Sequence, residues 1–261
     1  MNTLFLELPA SMRWSYLRNA GDHFFPQANL SRLLKHYFQT KNECEAAVQK
    51  AIGSPLIKQI MAKQSATNGS LSKWKLICLS AFIRLTKPEI IVETGVAHGS
   101  SSAVILEALH ENGFGKLYSI DLPIFDSADG NLKPWLEGYS FRKGDVSTVN
   151  DLNQVGWLVP ASLRDRWELI LGDSLAELPK LVRRIPQIDI FFHDSLHTYE
   201  CMMQEFGVVW PHLKQNAFIL ADDIFIKCHC AIRNFAQQKG ERFTNYLQLG
   251  VIRKCKVDNI Q

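Results

Sequence analysis

The 261-residue chain has no long hydrophobic run. Its apolar stretches, such as Ile188 to Phe192, are broken within a few residues. They fall far short of the roughly 20 residues that a membrane-spanning helix needs. The opening MNTLFLELPASMRW lacks the basic start and long apolar core of a secretory signal, and the chain reads as cytoplasmic. Cysteine is sparse: Cys44, Cys78, Cys201, Cys228, Cys230 and Cys255 are six in all. That is too few for a disulfide scaffold, and reduced thiols are the simplest reading. Cys228-His229-Cys230 is a C-x-C grouping with no second pair elsewhere, a weak zinc signature. No run of like charge reaches five residues, which weighs against a nucleic-acid-binding tail. Neither G-x-G-x-x-G nor a Gly-Lys-Ser/Thr P-loop is present.

What is present suits a globular enzyme-sized chain. Hydrophobic residues make up 46%, enough for a sizeable core, and the length fits one α/β domain with an added segment. The net charge is only +3, but it is unevenly spread: residues 1–90 hold 12 Lys/Arg against 5 Asp/Glu, and residues 91–261 hold 17 against 21. A basic front can meet an anionic partner; the plainer reading is a solvated helical surface.

The chain divides near Pro88. Before it, the first 40 residues read as irregular and aromatic, with Phe5, Trp14, Tyr16, Phe24 and Phe25 expected to pack onto the rest. A short helix is expected over 42–52, with Asn42 as cap and Gly53 as stop. Leu71, Trp74, Ile77, Cys78, Ala81, Phe82 and Leu85 recur at helical spacing and predict an amphipathic helix. After Pro88, strands are expected over 89–93, 116–121, 167–171, 188–194 and 217–222. Helices are expected over 100–110, 174–184, 197–213 and 226–239. Two closing strands, 242–249 and 251–257, are split by Gly250. This alternation predicts a Rossmann-like, doubly wound, mostly parallel seven-stranded sheet with an antiparallel edge hairpin. The expected division is a helical segment, 1–87, over a ligand-binding domain, 88–261.

In such sheets ligands bind at the carboxyl ends of the strands, near the point where strand order reverses. The first tip is Glu93-Thr94-Gly95-Val96-Ala97-His98-Gly99-Ser100. Gly95 and Gly99 permit close backbone approach, and the helix beginning at Ser100 offers free N–H groups. Glu93 there would repel a pyrophosphate and suit an ammonium. Asp121 ends the second strand, at the separation from the glycine turn where an acid commonly takes ribose hydroxyls. Asp173 and Ser174 at the third tip can meet an adenine edge or cap the next helix. At the fourth and fifth tips, Asp194, Asp222 and Asp223 are three carboxylates on strands expected to be neighbours. Such acids call for a cation, and Mg²⁺ suits an all-oxygen set. His197, a helical turn from Asp194, is a candidate base for a substrate hydroxyl.

VETGVAHGSSSAVILEAL, LYSID, LILGDSLAELP, FFHDSLHTYE and FILADDI, in that order, resemble the class I S-adenosylmethionine-dependent methyltransferases over about residues 88–255. The likeness is nearest to the bacterial group of macrocin and rhamnosyl O-methyltransferases and cephalosporin-hydroxylase-like proteins. The resemblance implies that Glu93, Gly95, Gly99 and Ser100 hold the methionine end of the cofactor, Asp121 the ribose, and Asp173 with Ser174 the adenine. It further implies that Asp194, Asp222 and Asp223 bind Mg²⁺. Where some sugar O-methyltransferases of this group place a proposed basic acid, this chain has Leu196, so the base role passes to His197 with Asp194. The expected activity is methylation of a hydroxyl on a small-molecule acceptor. The loop 122–144 is a candidate lid. Oligomeric state, including a homo-oligomer, stays open. Two rival readings are a non-catalytic cofactor- or partner-binding module and a nicotinamide-dependent oxidoreductase; the missing G-x-G-x-x-G and Glu93 count against the second.

Overall fold

The computed structural model describes residues 22–63, 70–126, 132–138, 140, 147–224 and 231–255. Phe5, Trp14, Tyr16 and the Cys228-His229-Cys230 grouping lie outside these residues.

Strand β1 (Ile90–Thr94) is buried at all five positions, as expected of a central parallel strand covered on both faces. It pairs in parallel with β2 (Lys116–Asp121) on one side and β6 (Ile188–His193) on the other. β5 (Trp167–Leu171) continues beyond β2, and β7 (Leu213–Ala221) beyond β6, all parallel. β9 (Leu249–Arg253) then runs antiparallel to β7, and β8 (Phe243–Tyr246) antiparallel to β9. The order is β5-β2-β1-β6-β7-β9-β8. Strand order reverses between β1 and β6, which makes the cleft above those two strands the natural binding place. The fold is thus the expected Rossmann-like seven-stranded sheet with an antiparallel edge hairpin.

Helices α1 (Pro26–Tyr37), α2 (Lys41–Gly53), α3 (Pro55–Ala62) and α4 (Lys73–Thr86) precede the sheet. With α5 (Ser100–Asn112) they share one apolar core over one sheet face, including Leu33, Leu34, Val48, Ile57, Leu76, Phe82, Leu106 and Phe218. On the other face α6 (Ser174–Arg184), α7 (Tyr199–Val209) and α8 (Ala231–Gln238) cover Val92, Ile120, Phe191 and Ile219. The segment between β2 and β5 adds a small hairpin, β3 (Ile124–Asp126) with β4 (Leu132–Pro134), inside the stretch read as a lid. Among the described residues no helix is long and apolar enough to cross a membrane.

Several local expectations are corrected. Within the described part of the first 40 residues, the stretch read as irregular carries α1, with Pro26 in its first turn and Leu30, Leu33, Leu34 and Tyr37 buried at helical spacing. Phe24 and Phe25 do not pack inward; they are 79% and 69% exposed. Asn42 lies inside α2, whose cap position is Thr40. Gly250 is a paired residue of β9, not a break. The turn is Leu247-Gln248, with φ of 46° and 66°. Two left-handed residues in a two-residue hairpin match the twist of the flanking strands.

Candidate active site

The strand tips are laced together by backbone hydrogen bonds. Gly95 N–H donates to Ile120 O, Asp194 N–H to Thr94 O, Asp222 N–H to His193 O, and Gly172 N–H to Asp121 O, all at 2.8–2.9 Å. The glycine turn is tight: Gly99 N–H donates to Val96 O at 2.7 Å, and Gly95 and Gly99 have φ of +87° and +85°. A Cβ at Gly95 would stand 2.1 Å from Asp194 O, and one at Gly99 2.7 Å from Gly156 Cα. Both glycines therefore let protein backbone approach the turn. Gly156 and Leu158 N–H donate to Ala97 O and His98 O, seating the 156–158 segment on the turn.

Asp121, at the tip of β2, is buried, and its Oδ1 accepts from Val96 N–H at 2.7 Å and Ala97 N–H at 3.1 Å. Burial pushes its carboxyl up while these two donors pull it down. Asp121 thus braces the glycine turn with one oxygen. Glu93 is placed differently from the sequence expectation. It is fully buried; Oε1 accepts from Ser101 Oγ, and Oε2 from Ser102 Oγ and Ser119 Oγ, each at 2.6 Å. Ser119 Oγ in turn accepts from Trp167 Nε1 at 2.9 Å. Burial pushes its carboxyl above the usual carboxylate range against the three hydroxyl donors. As described, Glu93 fastens β1 to α5 and β2 and presents no oxygen to the cleft. Ser100 is buried in the first turn of α5. Asp173 caps α6 through Leu175 N–H at 3.0 Å, and Ser174 is buried behind it.

Beneath the β1 and β6 tips lies a network that sequence reasoning did not find. Glu205 of α7 is fully buried. Its Oε2 accepts from Thr94 Oγ1 at 2.8 Å and lies 2.7 Å from His193 Nδ1; its Oε1 accepts from Ser195 Oγ at 2.9 Å. Burial works to push its carboxyl up, but His193 and the hydroxyls overcome it and hold the carboxyl below its usual range. The available signal was one acid in the otherwise apolar face of CMMQEFGVV.

Above it, the β6–α7 turn carries Asp194 and His197. His197 Nε2 is buried and 3.6 Å from Asp194 Oδ1, and the His193 and His197 rings meet edge-on at 5.4 Å. Burial, reinforced by Asp222 and Asp223, pushes Asp194 up to about 7 despite His197. The turn is fixed by Thr198, whose Oγ1 accepts from Cys201 N–H to cap α7. Leu196 beside them is 41% exposed.

Asp222 and Asp223 follow the β7 tip, Asp223 in a left-handed conformation with φ of 48°. They meet a cation from outside the sheet. Lys75, in the first turn of α4, reaches Asp222 Oδ1 at 2.6 Å and Asp223 Oδ1 at 2.9 Å. Burial disfavours its charge, but the two carboxylates win and the ammonium is firmly held protonated. Among the described residues no group of three His, Cys, Asp or Glu side chains is arranged to hold a metal ion. The expected Asp194, Asp222 and Asp223 set does not fit Mg²⁺ as described, because an ammonium already lies against two of its members. Lys75 was missed because nothing in the KWK start of an amphipathic helix signals a contact 147 residues away across the fold.

No curated protein sequence matches the chain. Solved structures share its fold. The O-methyltransferase TomG from Streptomyces achromogenes, involved in tomaymycin synthesis and solved with S-adenosylmethionine, aligns at a TM-score of 0.54 and 15% identity. The alignment covers 78% of this chain and 91% of TomG. An O-methyltransferase from Bacillus cereus, in complex with S-adenosylhomocysteine, aligns at 0.50 and 12% identity, covering 87% of this chain and 97% of that one. The family model described as a methyltransferase domain matches residues 92–224, which run from β1 through the glycine turn to the tip carrying Asp222 and Asp223 and make up about half of the chain; the protein belongs to that family of methyltransferases.

Proposed function

We propose that the protein transfers a methyl group from S-adenosylmethionine to a hydroxyl of a small molecule. The observation that carries this reading is the conjunction, at the switch between β1 and β6, of the braced glycine turn with the half-buried Asp194–His197 pair. The turn from Glu93 to Ser102 holds no Lys or Arg, which suits a polar, cationic cofactor better than a pyrophosphate. Gly95, Gly99, Ser100 and Asp121 would line the methionine and ribose portion. Asp173 and Ser174, at the neighbouring tip, would line the adenine. Glu93 supports the turn from behind.

When bound, S-adenosylmethionine supplies an electrophilic methyl carbon on a sulfonium sulfur, so the protein's own tasks are alignment and proton removal. His197, beside Asp194 at the strand tips, is the group placed to accept the acceptor's hydroxyl proton. Asp194 orients the imidazole and stabilises it once protonated. Leu196, apolar and exposed, stands where some sugar O-methyltransferases of the group the sequence resembles carry a proposed basic acid, which leaves His197 as the base. Mg²⁺ assistance has no place in this reading, because Lys75 already meets the acids that would hold the ion.

Calorimetry with S-adenosylhomocysteine and NAD tests the cofactor, and tritiated methyl transfer to a panel of hydroxylated acceptors tests the reaction. S-adenosylhomocysteine should bind and NAD should not. His197→Ala should lower kcat at least about 100-fold with S-adenosylhomocysteine affinity unchanged. Binding of NAD alone overturns the methyltransfer reading.

A further inference from the structure

The carboxyl end of β7 poses an electrostatic problem that the fold solves with one side chain. Asp222 is buried, Asp223 is one-third exposed in its side chain, and Asp194 lies close enough for both to disfavour its ionised form. Three carboxylates in a partly dry cleft need compensating positive charge. Among the described residues the compensating groups are His197, at 3.6 Å from Asp194, and Lys75, at 2.6 and 2.9 Å from Asp222 and Asp223. Lys75 is not a surface lysine that happens to swing inward. Its side chain is 11% exposed, and it projects from a helix anchored immediately afterwards by nine consecutive buried residues, Leu76 to Arg84. Contacts through two separate carboxylate oxygens, short and charge-assisted, fix the ammonium in place.

We propose that Lys75 is the resident cation of this methyltransferase, taking the coordination position that a divalent ion would need on Asp222 and Asp223, so that the enzyme works without a divalent metal. This rests on the methyl-transfer reading for its consequence but not for its test. An ammonium carries one charge where Mg²⁺ carries two and offers N–H donors rather than empty coordination sites, so it positions carboxylates without acting as a Lewis acid. It cannot ligate the acceptor hydroxyl as Mg²⁺ would, and the burden of proton removal falls on His197. Lys75 is accordingly a positioning residue. It also gives the N-terminal helical layer a role in the site: α4 delivers the charge that the sheet's own residues lack.

The test is ion binding by the full-length protein, followed by the paramagnetic resonance of Mn²⁺ and by calorimetry with Mg²⁺, with S-adenosylhomocysteine affinity measured on the same samples. Wild-type protein should leave Mn²⁺ in its free, hydrated signal at millimolar concentration. Lys75→Met should bind one Mn²⁺ at least about tenfold more tightly than wild type, since removing the ammonium frees two carboxylates. Lys75→Arg should not gain the ion. Stoichiometric Mn²⁺ binding by the wild type, or a folded Lys75→Met variant with no gain, overturns the proposal. If Lys75→Met does not fold, the wild-type titration decides alone. Turnover that survives EDTA supports the proposal, and turnover abolished by EDTA and restored by Mg²⁺ overturns it. Failure of the wild type to bind S-adenosylhomocysteine would strike at the methyl-transfer reading and leave the cation result standing.

Discussion

At the scale of single residues, the acids decide the site, and they sort by what surrounds them. Glu93, Asp121, Asp222 and Glu205 are buried and Asp194 half-buried close to the strand tips, but their oxygens have different partners. Glu205 is the one whose loss should be felt through the whole cleft. It ties Thr94 of β1, His193 and Ser195 of β6 and its turn, and α7 into one network. Glu205→Gln keeps the volume but removes the charge that three donors address, and should cost about 2–4 kcal/mol in urea unfolding at neutral pH. The pH dependence has a definite sign. A carboxyl held below its unfolded value stabilises the fold above that value, about 4.3 for Glu, and the contribution is lost as pH falls further through the folded one. Wild type should therefore lose stability more steeply than Glu205→Gln between about pH 5 and 3, and parallel curves would show the network to be uncharged. Gly95→Ala tests the turn. Its Cβ would meet Asp194 O at 2.1 Å, and the backbone must shift as well as accept a left-handed residue. A loss of about 2–3 kcal/mol with weakened S-adenosylhomocysteine binding is expected. Residue types and spacing made the glycines and four of these five acids legible, Glu205 being the exception. Partners were not: Glu93 has the same letter whether it faces an ammonium or three serines, and only the packing of α5 and β2 against β1 decides between them.

At the scale of elements, the parallel part of the fold was legible because buried parallel strands read as short apolar runs and most of them alternate with helices. β2, β5 and α6 fall on their expected bounds. The errors cluster where a different physics governs. α3 follows a Ser-Pro start in which Ser54 Oγ accepts from Ile57 N–H, a helix entry signal set in a stretch too short to show periodicity. The edge hairpin was misplaced because its turn lacks glycine and asparagine; Leu247 and Gln248 are forced into left-handed conformations by tertiary contacts. Asp22 Oδ2 accepts from Leu247 N–H at 3.2 Å, and Gln248 O accepts from Ile224 N–H at 3.2 Å. Gln248 also buries an amide oxygen with no hydrogen-bond partner. Gln248→Gly should relieve both burdens, since glycine accepts the left-handed conformation freely and carries no amide, and stabilise the protein by about 1 kcal/mol. Calorimetry should register a rise of about 2–4 °C in Tm, and a fall would mean that the Gln248 side chain contributes more through packing than its conformation costs.

At the scale of the whole molecule, the charge imbalance between the two parts of the chain finds its partner inside the chain. Lys50 pairs with Glu111 at 2.8 Å, Arg84 with Glu111 at 2.9 Å and Glu107 at 3.5 Å, and Lys75 with Asp222 and Asp223. The basic front therefore docks on the acidic remainder, and apolar packing completes the joint. Phe82 of α4 is ringed by Tyr37, Phe38 and Phe218 at centroid distances of 5.9, 5.6 and 5.4 Å, and Tyr37 Oη lies 2.6 Å from Thr244 Oγ1. Aromatic edges of this kind and a buried hydroxyl pair join helices at the start of the chain to strands at its end. Deleting residues 1–70 would remove α1, α2 and α3 and leave the α4 and α5 faces that pack against them open to water. Apolar surface of that extent drives association. The truncated chain should bind a hydrophobic dye, aggregate or lose its cooperative thermal transition, and should fail to bind S-adenosylhomocysteine because the strand tips no longer rest on a firm layer. A soluble, monodisperse truncated protein with an unchanged Tm would show that the sheet and its cleft stand without the helical layer, and that Lys75 alone, still present on α4, is the whole of that layer's contribution to the site.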